Sequence, residues 1–308
     1  MPSKVAYCAT VITPIKINLA LHIIGERSDG YHLLDSLVCF SLDGDVLQYR
    51  ASEENRFSIF GPQRAGLTCA SDNLVEQARD IVSKNFFSQS KPCELTLEKK
   101  LPVASGVGGG SGDAAGVFQL LKREWAINAD DDKWFRLALS LGADVPMCLS
   151  ALRNQKPLRV SGIGEKLQPL DHVCCLPMVL VNHGQSISTA QIFKLLGRKK
   201  SAGLDIDLSK LNVVHLLVKE LEKTHNDLYD PALRLVPELD EVLAVLRNSG
   251  ALLARMSGSG ATCFGIYENM IVAKEAAIKI AAQKPHWFVK AVETTNGIQK
   301  QSGRLEKS

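Results

Sequence analysis

The sequence predicts an α+β fold in two domains. Segments of strand period and helix period alternate along the chain, and several neighbouring strand segments sit close enough to pair as hairpins. A turn-rich stretch between Gly162 and Pro177 divides that alternation in two. A first domain is therefore expected over 1–170 and a second over 171–308, each of ordinary domain size.

The elements follow in order. The first twenty residues are mildly apolar, but Lys16 and Asn18 interrupt them, so they read as strand rather than signal peptide. "IKINLALHIIG" alternates Ile15, Ile17, Leu19 and Leu21 with Lys16, Asn18, Ala20 and His22, which predicts a half-buried strand with Lys16 and Asn18 turned away from the core. "GERSDGYHLLDSL" reads as a turn-rich connection. "GDVLQYRA", "RFSIFG" and "CELTLEKKL" read as strands. "DNLVEQARDIVSKNF" is a helix with Asn73 at its cap and Glu76 three residues on. "SGDAAGVFQLLKREWAI" spaces Ala114, Val117, Phe118, Leu121 and Trp125 as one helix face. "DDKWFRLALSLG" is a helix stopped by Gly142, and Pro146 predicts an extended path for "ADVPMCL".

The second half reads as strand "PMVLVNHG", helix "STAQIFKLLG", polar loop "RKKSAGLDIDLS" and helix "KLNVVHLLVKEL". The segment "NDLYDPALRLVPELDEVLAVLRNSG" follows, and strands "ALLARMSGSG" and "ATCFGIYE", helix "NMIVAKEAAIKIAAQ" and strand "WFVKAVETT" complete it. The tail "QKQSGRLEKS" is polar and expected to fray.

Composition excludes several function classes. The 308 residues carry a formal charge of only +3, with no basic stripe beyond "GRKK", which argues against a nucleic-acid partner. The longest apolar run, "VCCLPMVLV", is far short of a membrane span. None of the eight cysteines forms a C-x-x-C pair and the seven histidines are scattered, so free thiols in a reducing cytoplasm are expected rather than disulfides or zinc.

The chemistry concentrates in "LPVASGVGGGSGDAAG", where five glycines fall within seven residues between a strand and a helix. Such a turn aims backbone N–H groups and a helix N-terminus at one point, which suits phosphate. It is neither a Walker A loop nor a dinucleotide fingerprint. Elsewhere, Lys16 taken singly reads as a solvated lysine, and Asp144 in "LGADVP" as a turn residue. "SDGYH" offers a turn whose Tyr31 either packs on the surface or stacks on a planar base. "MSGSGATCFG" is a tight hairpin, or a place where another backbone or a phosphate comes close.

Taken together, "PIKINLALHIIGERSDGYH", "LPVASGVGGGSGDAAG", "LGADVP" and "MSGSGATCFG" resemble, in this order, the GHMP kinase superfamily over roughly residues 10–295. Within it, they are similar to the branch that uses ATP to phosphorylate a cytidylated sugar alcohol for non-mevalonate isoprenoid synthesis. The resemblance implies an N-terminal domain of the ribosomal S5 domain 2 type and a ferredoxin-like C-terminal domain. It implies Asp144 as catalytic base and Lys16 as its positive partner, orienting the attacking hydroxyl. ATP would lie on Pro102, Val103, Ala104, Ser105, Gly106, Val107, Gly108, Gly109, Gly110, Ser111 and Gly112, with Asn73 and Lys99 near its base, and Mg²⁺ would bridge its phosphates. Tyr31 and Phe193 would sandwich the cytosine, His32 would bond its edge, and Asn18 and Thr189 would line the substrate pocket. No metal ligand is assigned. One position departs from the pattern: Gly112 stands where a second serine is usual, which bears on nucleotide affinity and metal use. Another small-molecule kinase of the superfamily, for homoserine or mevalonate, and a non-catalytic nucleotide-binding protein remain alternatives.

Overall fold

The computed structural model describes residues 8–197 and 200–297. The "GRKK" run lies partly, and the polar tail wholly, outside the described residues. In chain order the strands are β1 Cys8–Ile12, β2 Ile15–Glu26, β3 His32–Ser41, β4 Val46–Ala51, β5 Arg56–Phe60, β6 Cys93–Glu98, β7 Leu158–Gly162, β8 Lys166–Pro169, β9 Pro177–Asn182, β10 Leu253–Met256, β11 Cys263–Ile266 and β12 Phe288–Glu293. The helices are α1 Leu74–Asn85, α2 Gly109–Glu124, α3 Asp131–Leu139, α4 Asp144–Asn154, α5 Thr189–Leu196, α6 Val214–Glu222, α7 Tyr229–Leu235, α8 Leu239–Asn248 and α9 Met270–Gln283.

Three four-stranded sheets result, with strand orders β1-β4-β6-β5, β2-β3-β7-β8 and β10-β11-β9-β12. Among the named strand pairs only β5–β6 is parallel, and an isolated parallel bridge joins Leu21 to Asn226. The last sheet is antiparallel, and its chain order of strand, helices, two strands, helix, strand is the ferredoxin-like arrangement. Helices α1 to α4 cover the first sheet, and Phe118, Trp134, Leu47 and Leu95 fill the core between them.

Local chemistry sets these elements. Asn73 caps α1, its side-chain oxygen accepting from the Val75 N–H at 3.0 Å. β6 alternates buried and half-buried residues strictly, as a strand with one face on a helical layer must. Helix α3 ends at Leu139, three residues before the expected stop at Gly142.

Three expectations are corrected. Pro146 sits in the first turn of α4 rather than in an extended segment; the missing N–H of proline costs nothing where no intrahelical acceptor exists. The connection expected after Gly25 is short: β2 runs to Glu26 and β3 begins at His32, seven of its ten residues buried. β2 itself is not half-exposed. Ile15, Ile17 and Leu19 pack with Met178, Leu180, Phe264 and Ile266 of the C-terminal sheet, while Lys16 and Asn18 on the other face are each only 5% exposed. That polar face is turned into an internal cleft, not to bulk solvent.

Candidate active site

The glycine loop follows β6, which ends at Glu98, and enters α2 at Gly109. Gly108 occupies the cap position at φ +66° and brings no side chain to the helix end. The first N–H groups of α2, from Gly109 onward, therefore have no intrahelical acceptor and mark the positive end of the helix. Gly108 is needed on two counts, since a Cβ there would also lie 3.2 Å from the Lys16 Cβ.

Loop residues 105–107 are pinned from two sides. The Lys16 N–H of β2 donates to the Val107 carbonyl at 2.9 Å, and the Thr262 N–H donates to the Ser105 carbonyl at 3.0 Å. Ser257 Oγ donates to the Gly106 carbonyl at 3.0 Å and accepts the Asn18 N–H at 3.1 Å. The small residues of "MSGSGATC" thus admit another backbone, that of the glycine loop. Asn226 steadies the hairpin by donating to the Met256 and Gly258 carbonyls at 2.9 and 2.8 Å.

Lys16 Nζ lies 3.1 Å from Asp144 Oδ2 and donates to Asn18 Oδ1 at 3.0 Å. Asn18 Nδ2 donates to Ser36 Oγ at 2.9 Å, and Ser36 Oγ to the Ala20 carbonyl at 2.6 Å, so the amide oxygen is the group left facing the lysine. Asp144 is the first residue of α4, and its side chain is 39% exposed. A helix N-terminus and an ammonium both complement its negative charge.

These groups line one cavity of about 740 Å³, the size of a small-molecule site. Its wall holds Lys16, Asn18 and Asp144, loop residues 102–106 and 108–111, and Asn73 and Lys99. Thr189, Phe193, Gly258 and Ser259 close it from the C-terminal half, Thr189 and Ser259 sharing a 2.8 Å hydroxyl bond. His32 stands 5.0 Å from the Phe193 ring, centroid to centroid. Tyr31 is 60% exposed on the neighbouring turn, outside the cavity wall.

Not every expected residue offers its side chain to the cavity. Val107 is buried in the core, and its carbonyl is taken by β2. Gly112 faces the β1–β2 connection, where a Cβ would sit 2.7 Å from the Pro14 carbonyl oxygen. The departure from the usual serine is thus matched by a backbone approach that leaves no room for a side chain. The Asn73 amide is used by the chain, donating to the Thr68 carbonyl and capping α1. The Lys99 ammonium is held by Asp45 at 2.6 Å and Asp113 at 2.7 Å. Asp45 belongs to "GDVLQYRA", read only as a strand, and nothing in the sequence marked it for this contact.

Burial pushes the Asp113 carboxyl up to about 7; Lys99 pulls the other way and the charge of Asp45 adds to the rise. Burial works against the Lys99 ammonium, but its two carboxylates outweigh it and hold its pKa above the usual lysine value. The folded chain thus binds a proton at Asp113 that the unfolded chain has lost above pH 4, so this group's contribution falls as pH rises from about 4 to 7 and is constant beyond. Relative to Asp113→Asn, the wild type should lose up to about 1.4 kcal/mol per pH unit across that window. Urea unfolding of both proteins at pH 5, 6, 7 and 8 measures it; a constant difference would refute the assignment.

Family models of the GHMP kinases match the chain twice, the N-terminal domain at residues 73–151 and the C-terminal at 211–285. The chain is 51% identical over 284 residues to the 4-diphosphocytidyl-2-C-methyl-D-erythritol kinase of Bartonella bacilliformis, covering 92% of this chain and 93% of that one. It is 42% identical over 279 residues to the protein of the same name from Brucella melitensis, covering 91% and 93%. A crystal structure of 4-(cytidine 5'-diphospho)-2C-methyl-D-erythritol kinase superposes with a TM-score of 0.77 at 29% identity, over 94% of this chain and all of that one. Homoserine kinase from Cytophaga hutchinsonii, with a TM-score of 0.68 at 14% identity over 96% and 98%, shares the fold.

Proposed function

The chain belongs to the 4-diphosphocytidyl-2-C-methyl-D-erythritol kinases, a branch of the GHMP kinases, and from that premise we propose that Asp144 and Lys16 carry the transfer of a phosphoryl group from ATP to the 2-hydroxyl of that cytidylated alcohol. The observation that carries this reading is the Lys16–Asp144 pair, 3.1 Å apart, sharing one cavity with the uncapped N-terminus of α2.

The phosphates of ATP lie against the free N–H groups of the loop and of α2, where backbone dipoles meet negative charge. Asp144 takes the proton of the 2-hydroxyl as its oxygen bonds to the γ-phosphorus. The bond from that phosphorus to the β–γ bridging oxygen breaks, and ADP leaves. Lys16, held in line by Asn18, orients the hydroxyl and offsets charge on the transferring group. Among the described residues no group of three or more His, Cys, Asp or Glu is placed to hold a metal. Mg²⁺ would accompany the nucleotide and offset the charge of its phosphates, and no residue of this chain is assigned to hold it.

Phe193 gives the cytosine one stacking face and Tyr31 closes from solvent, with His32 at the edge and Thr189 at the pocket wall. The boundary between the two domains lies near residue 170, between β8 and β9. No helix of the described residues is long and apolar enough to cross a membrane. A cytoplasmic enzyme without a nucleic-acid or membrane partner is part of this reading.

The test is ADP release from Mg-ATP with four alcohols side by side: 4-diphosphocytidyl-methylerythritol, the same compound without cytidine, homoserine and mevalonate. Turnover is expected with the cytidylated compound alone. Turnover with a small alcohol would remove the aromatic clamp. Within the same assay, Phe193→Ala should raise KM for the cytidylated substrate by the loss of one stacking contact, about 1–3 kcal/mol or roughly 5- to 150-fold, with KM for ATP unchanged. An unaltered substrate KM would place the base elsewhere.

A further inference from the structure

Beneath the glycine loop lies a ring of side chains, closed by one backbone bond, to which the mechanism above gives no role, although Lys99 and Asp113 also border the cavity. Asp45 Oδ2 meets Lys99 Nζ at 2.6 Å, Lys99 Nζ meets Asp113 Oδ2 at 2.7 Å, and Thr13 Oγ1 donates to Asp113 Oδ1 at 3.3 Å. The Thr13 N–H donates to the Asp45 carbonyl at 2.8 Å and closes the ring. Thr13, Asp45, Lys99 and Asp113 are each 0–2% exposed.

An ion triplet in the interior is a poor way to gain stability, because desolvation offsets its attraction and apolar side chains would serve as well. What it does supply is position. Asp45 Oδ1 also accepts the N–H groups of Lys100 at 2.5 Å and Leu101 at 2.8 Å, the two residues before the loop. Asp113 lies in the first turns of α2, just after the loop. The Lys99 ammonium sits directly under the first residue of that helix, since a Cβ on Gly109 would be 3.2 Å from Nζ. One buried ammonium therefore joins the chain that enters the loop to the helix that leaves it.

We propose that Thr13, Asp45, Lys99 and Asp113 form a strut that fixes the spacing between the two ends of the glycine loop and so sets its affinity for the nucleotide. These are positioning residues: they act through the loop backbone. The proposal rests on the reading of that loop as the ATP phosphate site.

The experiment compares Asp113→Ala, Asp113→Asn and Thr13→Val with wild type. It measures KM for Mg-ATP, KM for the cytidylated alcohol, kcat, and amide hydrogen exchange of residues 101–111. Asp113→Ala should raise KM for ATP about tenfold or more, the scale of one lost charged hydrogen bond, and leave KM for the alcohol in place. Exchange within 101–111 should accelerate. Asn at 113 should recover most of the ATP affinity, because its amide oxygen still accepts from Lys99 and its NH₂ still reaches Thr13. A variant that only loosened the fold would lower Tm without this split between the two KM values or this rescue.

Thr13→Val removes one hydroxyl at nearly constant shape and should raise KM for ATP about threefold, in keeping with one neutral hydrogen bond. It decides the matter should Asp113→Ala not fold. Wild-type ATP affinity and loop exchange in both Asp113→Ala and Thr13→Val would overturn the strut, as would Asn at 113 behaving like Ala. If wild type itself failed to bind Mg-ATP, the nucleotide reading would fall, and the exchange data alone would decide whether the strut orders the loop.

Discussion

Asp144→Asn should abolish turnover while leaving the nucleotide bound. The amide keeps the shape of the carboxyl and one oxygen toward Lys16, whose ammonium also retains its 3.0 Å bond to Asn18. What the variant loses is the capacity to accept a proton. A positioned general base is worth about 10²–10⁴-fold, so kcat should fall by that much. The cavity wall that receives ATP is built from the loop and α2 on the other side of Lys16, so calorimetric affinity for Mg-ATP should stay within about threefold. Full activity in Asp144→Asn would show that the hydroxyl loses its proton to another group or to water. Weak ATP binding with proportionate loss of rate would instead assign Asp144 to nucleotide binding.

The loop proposed as the phosphate site was legible in the sequence for a physical reason. A phosphate cradle needs glycine, and glycine in a strand-to-helix turn is conspicuous; in the structure Gly106, Gly108, Gly109, Gly110 and Ser111 line the cavity. The strands that became β9, β10, β11 and β12 were likewise readable from period, but their ferredoxin-like arrangement was implied only by the family resemblance. Lys16 was legible as a residue and not as an environment. Strand period two puts it opposite Ile15 and Ile17, but period cannot say whether the opposite face meets water or a closed cleft. Only the folding of the glycine loop, α4 and the β10–β11 hairpin against Lys16 and Asn18 encloses that face.

Long-range polar contacts were the least legible. Asp45 and Asp113 lie 54 and 14 residues from Lys99 in the chain and meet it only because β4, β6 and α2 are stacked. β3 was missed altogether for a related reason: "GERSDGYHLLDSL" is rich in turn residues and read as a connection, yet pairing with β2 and β7 makes a strand from His32 to Ser41. Tertiary pairing overrode local preference there. Pro146 misled in the opposite direction, since its effect depends on whether it falls inside a helix or in its first turn.

Gly106→Ala should be among the most damaging small substitutions in the molecule. The residue holds φ +75°, a region that costs a side chain roughly 1–2 kcal/mol. Its Cβ would also lie 2.5 Å from the Ser257 carbonyl oxygen and 2.8 Å from both the nitrogen and oxygen of Gly260. All three are backbone atoms, so no rotamer relieves the contact; the hairpin between β10 and β11 must move off the loop. That movement breaks the Ser257–Gly106 bond and strains the Thr262–Ser105 and Asn18–Ser257 bonds, which join the loop to the C-terminal sheet and to the strand of Lys16. A loss of about 3–5 kcal/mol is expected, at the upper end for one residue. ATP affinity should fall with it, because the pinned carbonyls of 105–107 set the path of the loop. Gly110→Ala is the control: it lies inside α2, and its Cβ would meet only the Leu74 Cδ1 at 3.3 Å. Helix propensity favours alanine there by up to about 1 kcal/mol, so its stability should match or exceed wild type. Equal denaturant midpoints for the two variants would show that the hairpin tolerates separation from the loop, and that the site does not depend on their contact.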